Sequence, residues 1–232
     1  MEKEEKQQPH YVGHRMRLKE RFLKDEGKTM PDYEILELLL TLAIPRRDVK
    51  EKAKELIAHF GGFGKVISAP YTKLTEFGLS KNVITVLKLV KASAIKMTWQ
   101  ELNESDMPIL CLFDYLIDYC KASMSFLEVE EFRVIFLDAK LQILKEEIMQ
   151  RGTINCVAVH PREILLAALD CKATSVVLVH NHPSSSEKPS AQDIKITNQI
   201  IEALKIVDIV VQDHIIITPN GYYSFKENKL IK

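Results

Sequence analysis

Four polar side chains follow one another in the chain at spacings that suit a metal site. His180 and His182 are two residues apart, and Ser190 and Asp193 complete the stretch HNHPSSSEKPSAQD. Two imidazoles and one carboxylate are typical ligands of a catalytic zinc, which keeps its fourth tetrahedral position open for water. The stretch therefore predicts zinc chemistry, with His180, His182 and Asp193 as the candidate ligands.

The elements around these residues can bring them to one side of the fold. The apolar run TSVVLV at 174–179 predicts a buried strand. Residues two apart on an extended chain point the same way, so both histidines can face one metal while Asn181 faces away. Apolar periodicity from Ile194 to Leu204 predicts a helix with Asp193 in its first turn. Ser190 and Asp193 also fit a capping box, and that role is compatible with metal binding.

The pattern HxHP, six residues, then SxxD resembles the signature of the JAMM (MPN+) zinc hydrolases, which include deubiquitinating isopeptidases. The variant HNHP and the segments RGT, HPREI, DH, GHRMRLKERF and IPRRDVK resemble RadC-type proteins, so the resemblance covers nearly the whole chain. It implies that His180, His182 and Asp193 ligate zinc and that Ser190 helps to hold the tetrahedral oxyanion. After HNHPS the family usually has glycine, where this chain has Ser185.

The resemblance also implies a general base supplied by a glutamate far upstream. Glu131 directly precedes the apolar run FRVIFL and lies about fifty residues before the histidine pair, so we predict Glu131 as the base. Glu147, on the next strand-like segment, is the main alternative. The other glutamates in this region are Glu130, Glu146 and Glu163.

We predict an α/β (α+β) chain in which a small helical bundle is followed by a mixed sheet with flanking helices. The predicted regions are a disordered tail at 1–12, a helix-hairpin-helix-like domain at 13–102 and a JAMM/MPN-type domain at 107–232. The resemblance implies a cytidine-deaminase-like layering for the last of these. Apolar periodicity predicts helices near residues 15–24, 33–42, 49–60, 71–77 and 81–97. After Glu131 short β-rich runs alternate with helices, which is typical of an α/β fold.

Charge is distributed unevenly along the chain. Residues 1–100 carry 19 Lys and Arg against 13 Asp and Glu, and residues 101–232 carry 13 against 19, which suggests different partners for the two halves. The first half resembles helix-hairpin-helix modules that hold duplex backbone, with Gly78-Leu79-Ser80 as a hairpin that lacks its second glycine. We therefore expect only weak, nonspecific DNA binding, through the basic residues Arg46, Arg47, Lys50, Lys52 and Lys54.

Composition excludes several classes of protein. The 232 residues are 46% hydrophobic and 28% charged, enough for one large or two small cores. No run has the roughly eighteen apolar residues of a membrane span, and the charged start MEKEEKQQPH predicts no secretory signal. We expect a cytoplasmic protein whose four cysteines, Cys111, Cys120, Cys156 and Cys171, are reduced and buried.

Three function classes follow from these residues. The leading one is a zinc-dependent hydrolase of a peptide or isopeptide bond. The alternatives are a DNA-associated repair-type protein whose JAMM domain serves binding, and a metal-dependent nuclease. Two further histidines, His160 and His214, are interpreted as structural, because a lone histidine is more often satisfied by packing and hydrogen bonds than bound to metal.

Overall fold

The computed structural model of the chain describes residues 13–105, 107–152 and 159–231. The predicted tail at 1–12 and Cys156 lie outside these residues. The chain divides into two compact units between Ala92 and Ser93, inside the long helix that ends at Asn103.

The first unit is helical, as its apolar periodicity predicts. Leu36 and Leu40 lie one turn apart and are 0% and 1% exposed, so one face of their helix is fully buried. They pack with Leu56, Val66 and Leu87 in the core of this unit. The helices are α1 (His14–Asp25), α2 (Asp32–Ala43), α3 (Lys50–Phe60), α4 (Phe63–Ser68), α5 (Tyr71–Glu76) and α6 (Lys81–Asn103).

The turn between α5 and α6 is the hairpin expected to approach DNA. Gly78 adopts φ +87°, a left-handed conformation that favours glycine. Its amide donates to the carbonyl of Thr75, and the amide of Leu79 donates to the carbonyl of Leu74. These two amides are therefore used inside the turn, which leaves them less suited to a phosphate.

The second unit is built on a mixed sheet flanked by helices. A short 3-10 helix (Ile109–Leu112) leads into α7 (Phe113–Met124), and two further helices are α8 (Pro161–Asp170) and α9 (Ala191–Lys205). Within the described residues, five strands form one sheet in the order β2-β1-β3-β4-β5. Their bounds are β1 (Glu131–Leu137), β2 (Ile143–Arg151), β3 (Ser175–Asn181), β4 (Val210–Ile217) and β5 (Tyr222–Ser224).

Only β3 and β4 pair in parallel, and the other neighbours are antiparallel. One face of β1, with Phe132 and Val134, packs with α8 and α9. The opposite face, with Ile135 and Leu137, packs with α7 and the end of α6. The predicted α/β fold with a mixed sheet and flanking helices is confirmed.

The sequence also gave predictions about the cysteines and about membrane-spanning segments. Among the described cysteines, Cys111, Cys120 and Cys171 are free thiols, and Cys120 is buried as predicted. The predicted burial of Cys111 is wrong, because it is exposed, and Cys171 is only partly buried. Cys111 lies on the short 3-10 helix, where Ile109 and Leu112 instead are the buried residues. In the part of the chain that the structure describes, no helix combines the length and the apolar character needed to cross a bilayer.

Candidate metal centre

The two histidines of the motif lie at the carboxyl end of the central strand β3. His180 pairs with Phe132 of β1 on one side and with Ile216 of β4 on the other, and its ring stacks on that of Phe132. The chain leaves the strand just before His182, yet both side chains turn to the same place. Their Nε2 atoms are 2.8 Å apart, so the strand alternation predicted for this pair holds.

The carboxylate of Asp193 comes to the same point from the start of α9. Its Oδ1 lies 3.4 Å from Nε2 of His180, and its Oδ2 lies 3.4 Å from Nε2 of His182. The capping box holds it there, because the Ser190 amide donates to Oδ2 at 2.6 Å and the Asp193 amide donates to Ser190 Oγ at 3.1 Å. The helix cap therefore also positions the carboxylate.

The three groups have the spacing of a tetrahedral metal site. Zinc bonds to imidazole nitrogen and carboxylate oxygen are about 2.0 to 2.1 Å long, which places two such ligand atoms about 3.3 Å apart. The observed separations of 2.8, 3.4 and 3.4 Å lie close to that value. Within residues 13–105, 107–152 and 159–231, His180, His182 and Asp193 form a group of side chains that could hold a metal ion.

The outer nitrogens of both rings are held by hydrogen bonds. Nδ1 of His182 donates to the carbonyl of Ser186 at 2.7 Å, and Nδ1 of His180 lies 2.8 Å from Nε2 of His214. Such contacts orient a ligand ring and leave its Nε2 lone pair free. Ser185, the residue before this carbonyl contact, adopts a left-handed conformation with φ +63°.

Burial and charge set the protonation of the group. Burial lowers the pKa of His180 to about 4 and that of His214 well below its usual value, so both rings are neutral at pH 7. Burial alone would raise the pKa of Asp193, but the neighbouring His182, His180 and Ser190 outweigh it and hold that pKa far below the ordinary value. Asp193 is therefore an anion, as a metal ligand must be.

The carboxylate of Glu131, the base predicted from the sequence, is held by two arginines. Its Oε1 accepts from Nε of Arg133 at 2.6 Å, its Oε2 lies 3.0 Å from Nε of Arg151, and the residue is 0% exposed. Arg133 also binds Glu146, whose Oε2 accepts from the Tyr119 hydroxyl. Glu131 thus belongs to a buried ionic network on the α7 side of the sheet.

Glu130, the residue before Glu131, also lies at the metal group. It lines a cavity of about 500 Å³ together with His180, His182, Ser190 and Asp193. Burial raises the pKa of Glu130, the positive charge of His182 lowers it, and the negative charge of Asp193 raises it. Glu131 lines the same cavity, but its carboxylate is bound by Arg133 and Arg151.

Asn181, the residue between the two histidines, faces the opposite side as predicted and holds the segment that carries Glu130. Its Oδ1 accepts from the Glu131 amide at 2.8 Å, and its Nδ2 donates to the Val129 carbonyl at 3.1 Å. Asn181 is 1% exposed. One side chain therefore fixes the backbone immediately before and after Glu130.

The remaining sequence candidates lie elsewhere or act differently. Glu147 is on β2 and pairs with Lys145 at 2.8 Å. His160 occupies the N-cap position of α8, but its side chain makes no capping hydrogen bond. His214 is fully buried against His180, so its interpretation as purely structural missed a contact with a candidate ligand. The DH segment, Asp213-His214, was the sequence signal that could have indicated this contact.

Comparisons with known proteins match the same part of the chain. A family model described as RadC-like JAB domain matches residues 113–230, which include every side chain of the candidate centre. The chain is also similar to a UPF0758 protein of Rhodobacter capsulatus, with 41% identity over 215 residues that cover 92% of this chain and 100% of the relative.

Proposed function

The chain belongs to the RadC family and carries its JAMM-like JAB domain, and on that basis we propose that it is a zinc-dependent hydrolase of amide bonds in peptides or isopeptides. The observation that supports this most is the convergence of two imidazole Nε2 atoms and one carboxylate within 3.4 Å of one another. Three protein ligands leave the open position that catalytic zinc requires.

The residues fit zinc in type and spacing. When bound, zinc would lower the pKa of a water to roughly 7 and polarise the amide carbonyl as a Lewis acid. His180, His182 and Asp193 would hold it. The two rings are held at Nδ1, by Ser186 and His214 respectively. Asp193 is held at Oδ2 by the Ser190 amide, which leaves its Oδ1 for the metal.

Glu130 is the proposed general base. A carboxylate with a raised pKa accepts a proton from the attacking water more readily and can pass it to the leaving amine. Glu130 lines the cavity and interacts with the charges of His182 and Asp193. Glu131, the base predicted from the sequence, is instead neutralised by Arg133 and Arg151.

Ser190 is the proposed donor to the oxyanion. Its Oγ accepts from the Asp193 amide, so the hydroxyl proton remains available to donate into the cavity. A donor aimed at developing negative charge contributes on the order of 100-fold to 1000-fold in rate. Phe132, Val159 and Ile196 supply the apolar wall of the same cavity.

Metal analysis tests the ligand assignment. We expect about one zinc per chain in the wild type and its loss in a His180→Ala, His182→Ala double variant. His160→Ala is the matched control, because His160 is an exposed histidine outside the cavity, and it should keep the zinc. Equal zinc in the wild type and the double variant would remove the site.

A substrate panel tests the reaction class. The zinc-loaded protein is assayed on a peptide, an isopeptide and duplex DNA, each with the double variant as the blank. Amide cleavage that the double variant lacks supports the hydrolase. Metal-dependent cleavage of DNA, without amide cleavage, would favour the nuclease alternative instead.

A further inference from the structure

A line of buried hydrogen bonds connects the two elements that carry the candidate ligands. From His180 on β3 it passes to His214 on β4 at 2.8 Å, and from His214 Nδ1 to Thr197 Oγ1 on α9 at 2.6 Å. Thr197 Oγ1 then donates to the carbonyl of Asp193 at 2.5 Å. His214 and Thr197 are 0% and 1% exposed, so water does not compete for these contacts.

The direction of the protons along this line follows from its last contact. The Asp193 carbonyl can only accept, so the single hydroxyl proton of Thr197 points toward it. Thr197 Oγ1 must then accept from His214 Nδ1–H, and His214 Nε2 in turn accepts from His180 Nδ1–H. The proton of His180 is thereby placed on Nδ1.

The opposite direction fails on the same geometry. It would point the Thr197 hydroxyl at His214 and leave two oxygen lone pairs facing each other at 2.5 Å, between Thr197 and the Asp193 carbonyl. It would also put a proton on His180 Nε2, the atom that would have to bind the metal. Along the line from His180 Nδ1 to the Asp193 carbonyl, every contact has one donor and one acceptor in only one of the two directions.

Packing holds the middle of the line in place. The ring of His214 stacks on Phe225 with centroids 4.6 Å apart, and Phe132 meets it edge-on at 5.5 Å. Thr197 lies one helical turn after Asp193, so its hydroxyl reaches back to the carbonyl of that residue. The ring and the hydroxyl therefore have little freedom to re-form these contacts elsewhere.

We propose that His214 and Thr197 are positioning residues that keep His180 in the Nδ1–H tautomer, with its Nε2 lone pair directed at the metal position, and couple it to the helical turn that carries Asp193. The metal part of this statement rests on the proposed function, whereas the tautomer is a property of the chain by itself. Partners of this kind typically contribute 10-fold to 100-fold in metal affinity.

The experiment compares Thr197→Val with Thr197→Ser in the full chain. Valine keeps the shape but has no hydroxyl, while serine keeps the hydroxyl. Nitrogen NMR of the imidazoles in metal-free protein reports the tautomer of His180, and competition with a chelator reports the zinc dissociation constant. Thermal unfolding checks that both variants are folded.

We expect the Nδ1–H tautomer and wild-type zinc affinity in Thr197→Ser. In Thr197→Val we expect a mixture of His180 tautomers and zinc affinity lower by about 10-fold. Unchanged tautomer and affinity in Thr197→Val would overturn the proposal. If that variant fails to fold, the wild type still decides, because a His180 proton found on Nε2 contradicts the argument without any substitution.

The two proposals fail in distinguishable ways. A wild-type protein that binds no zinc, but has His180 protonated on Nδ1 and loses that preference in Thr197→Val, would refute the zinc hydrolase and support the positioning network. Zinc binding of equal strength in the wild type and both variants would leave the hydrolase standing and refute the network.

Discussion

Two adjacent glutamates, Glu130 and Glu131, give opposite expectations for the same substitution. Glu130→Gln should reduce turnover by about 100-fold to 10,000-fold, because an amide fills the space but cannot accept a proton at neutral pH. Zinc content and the free energy of unfolding should remain at wild-type values, since Glu130 is only partly buried and lies outside the ionic network.

Glu131→Gln should instead reduce stability. The carboxylate is 0% exposed, and both Nε and Nη2 of Arg133 lie within 2.6 Å of its Oε1. Losing the charge of one partner in a buried pair costs about 3 to 5 kcal/mol. Glu146 still lies 3.1 Å from Arg133 and the new amide oxygen can accept one hydrogen bond, so we expect about 1.5 to 3 kcal/mol.

Urea denaturation and turnover on the amide substrate, measured on both zinc-loaded variants, separate these effects. Glu131→Gln should retain turnover at temperatures where it is folded. The assignment is wrong if Glu131→Gln abolishes turnover without loss of stability while Glu130→Gln remains active. That result would restore Glu131 as the base.

Three further predictions concern residues around the site and in the first unit. Asn181→Ala should lower turnover while the zinc is kept, because it removes the two hydrogen bonds that hold the backbone on either side of Glu130. Turnover equal to wild type would show that these hydrogen bonds do not position Glu130. Ser185→Gly should leave the free energy of unfolding equal or slightly higher, and Ser185→Val should lower it by about 1 to 2 kcal/mol, because a side chain at φ +63° is strained. Denaturation midpoints in the reverse order would contradict this prediction. The full chain should bind duplex DNA weakly at low salt and release it near physiological salt, and charge reversal at Arg46, Arg47 and Lys50 should weaken binding further. Tight binding that persists at high salt would instead favour the DNA-associated alternative.

The sequence by itself determined the elements and the ligand types. Strand β3 follows from the run TSVVLV, and α9 follows from its apolar period and its capping box, since both signals are local. The two-residue spacing of His180 and His182 on an extended chain was enough to predict that their side chains lie together, and in the structure their Nε2 atoms are 2.8 Å apart.

Only the tertiary structure decided which glutamate is bound by arginines and what holds His180. Strand β1 packs against helices on both faces, so apolar residues of FRVIFL point to both of them. The sequence therefore lacks the apolar–polar alternation that would show to which face Glu130 or Glu131 points. The contact between His180 and His214 joins residues 34 apart, and Thr197 reaches the same ring from a third element. Such contacts depend on strand order and register, which a single sequence does not encode in any local pattern.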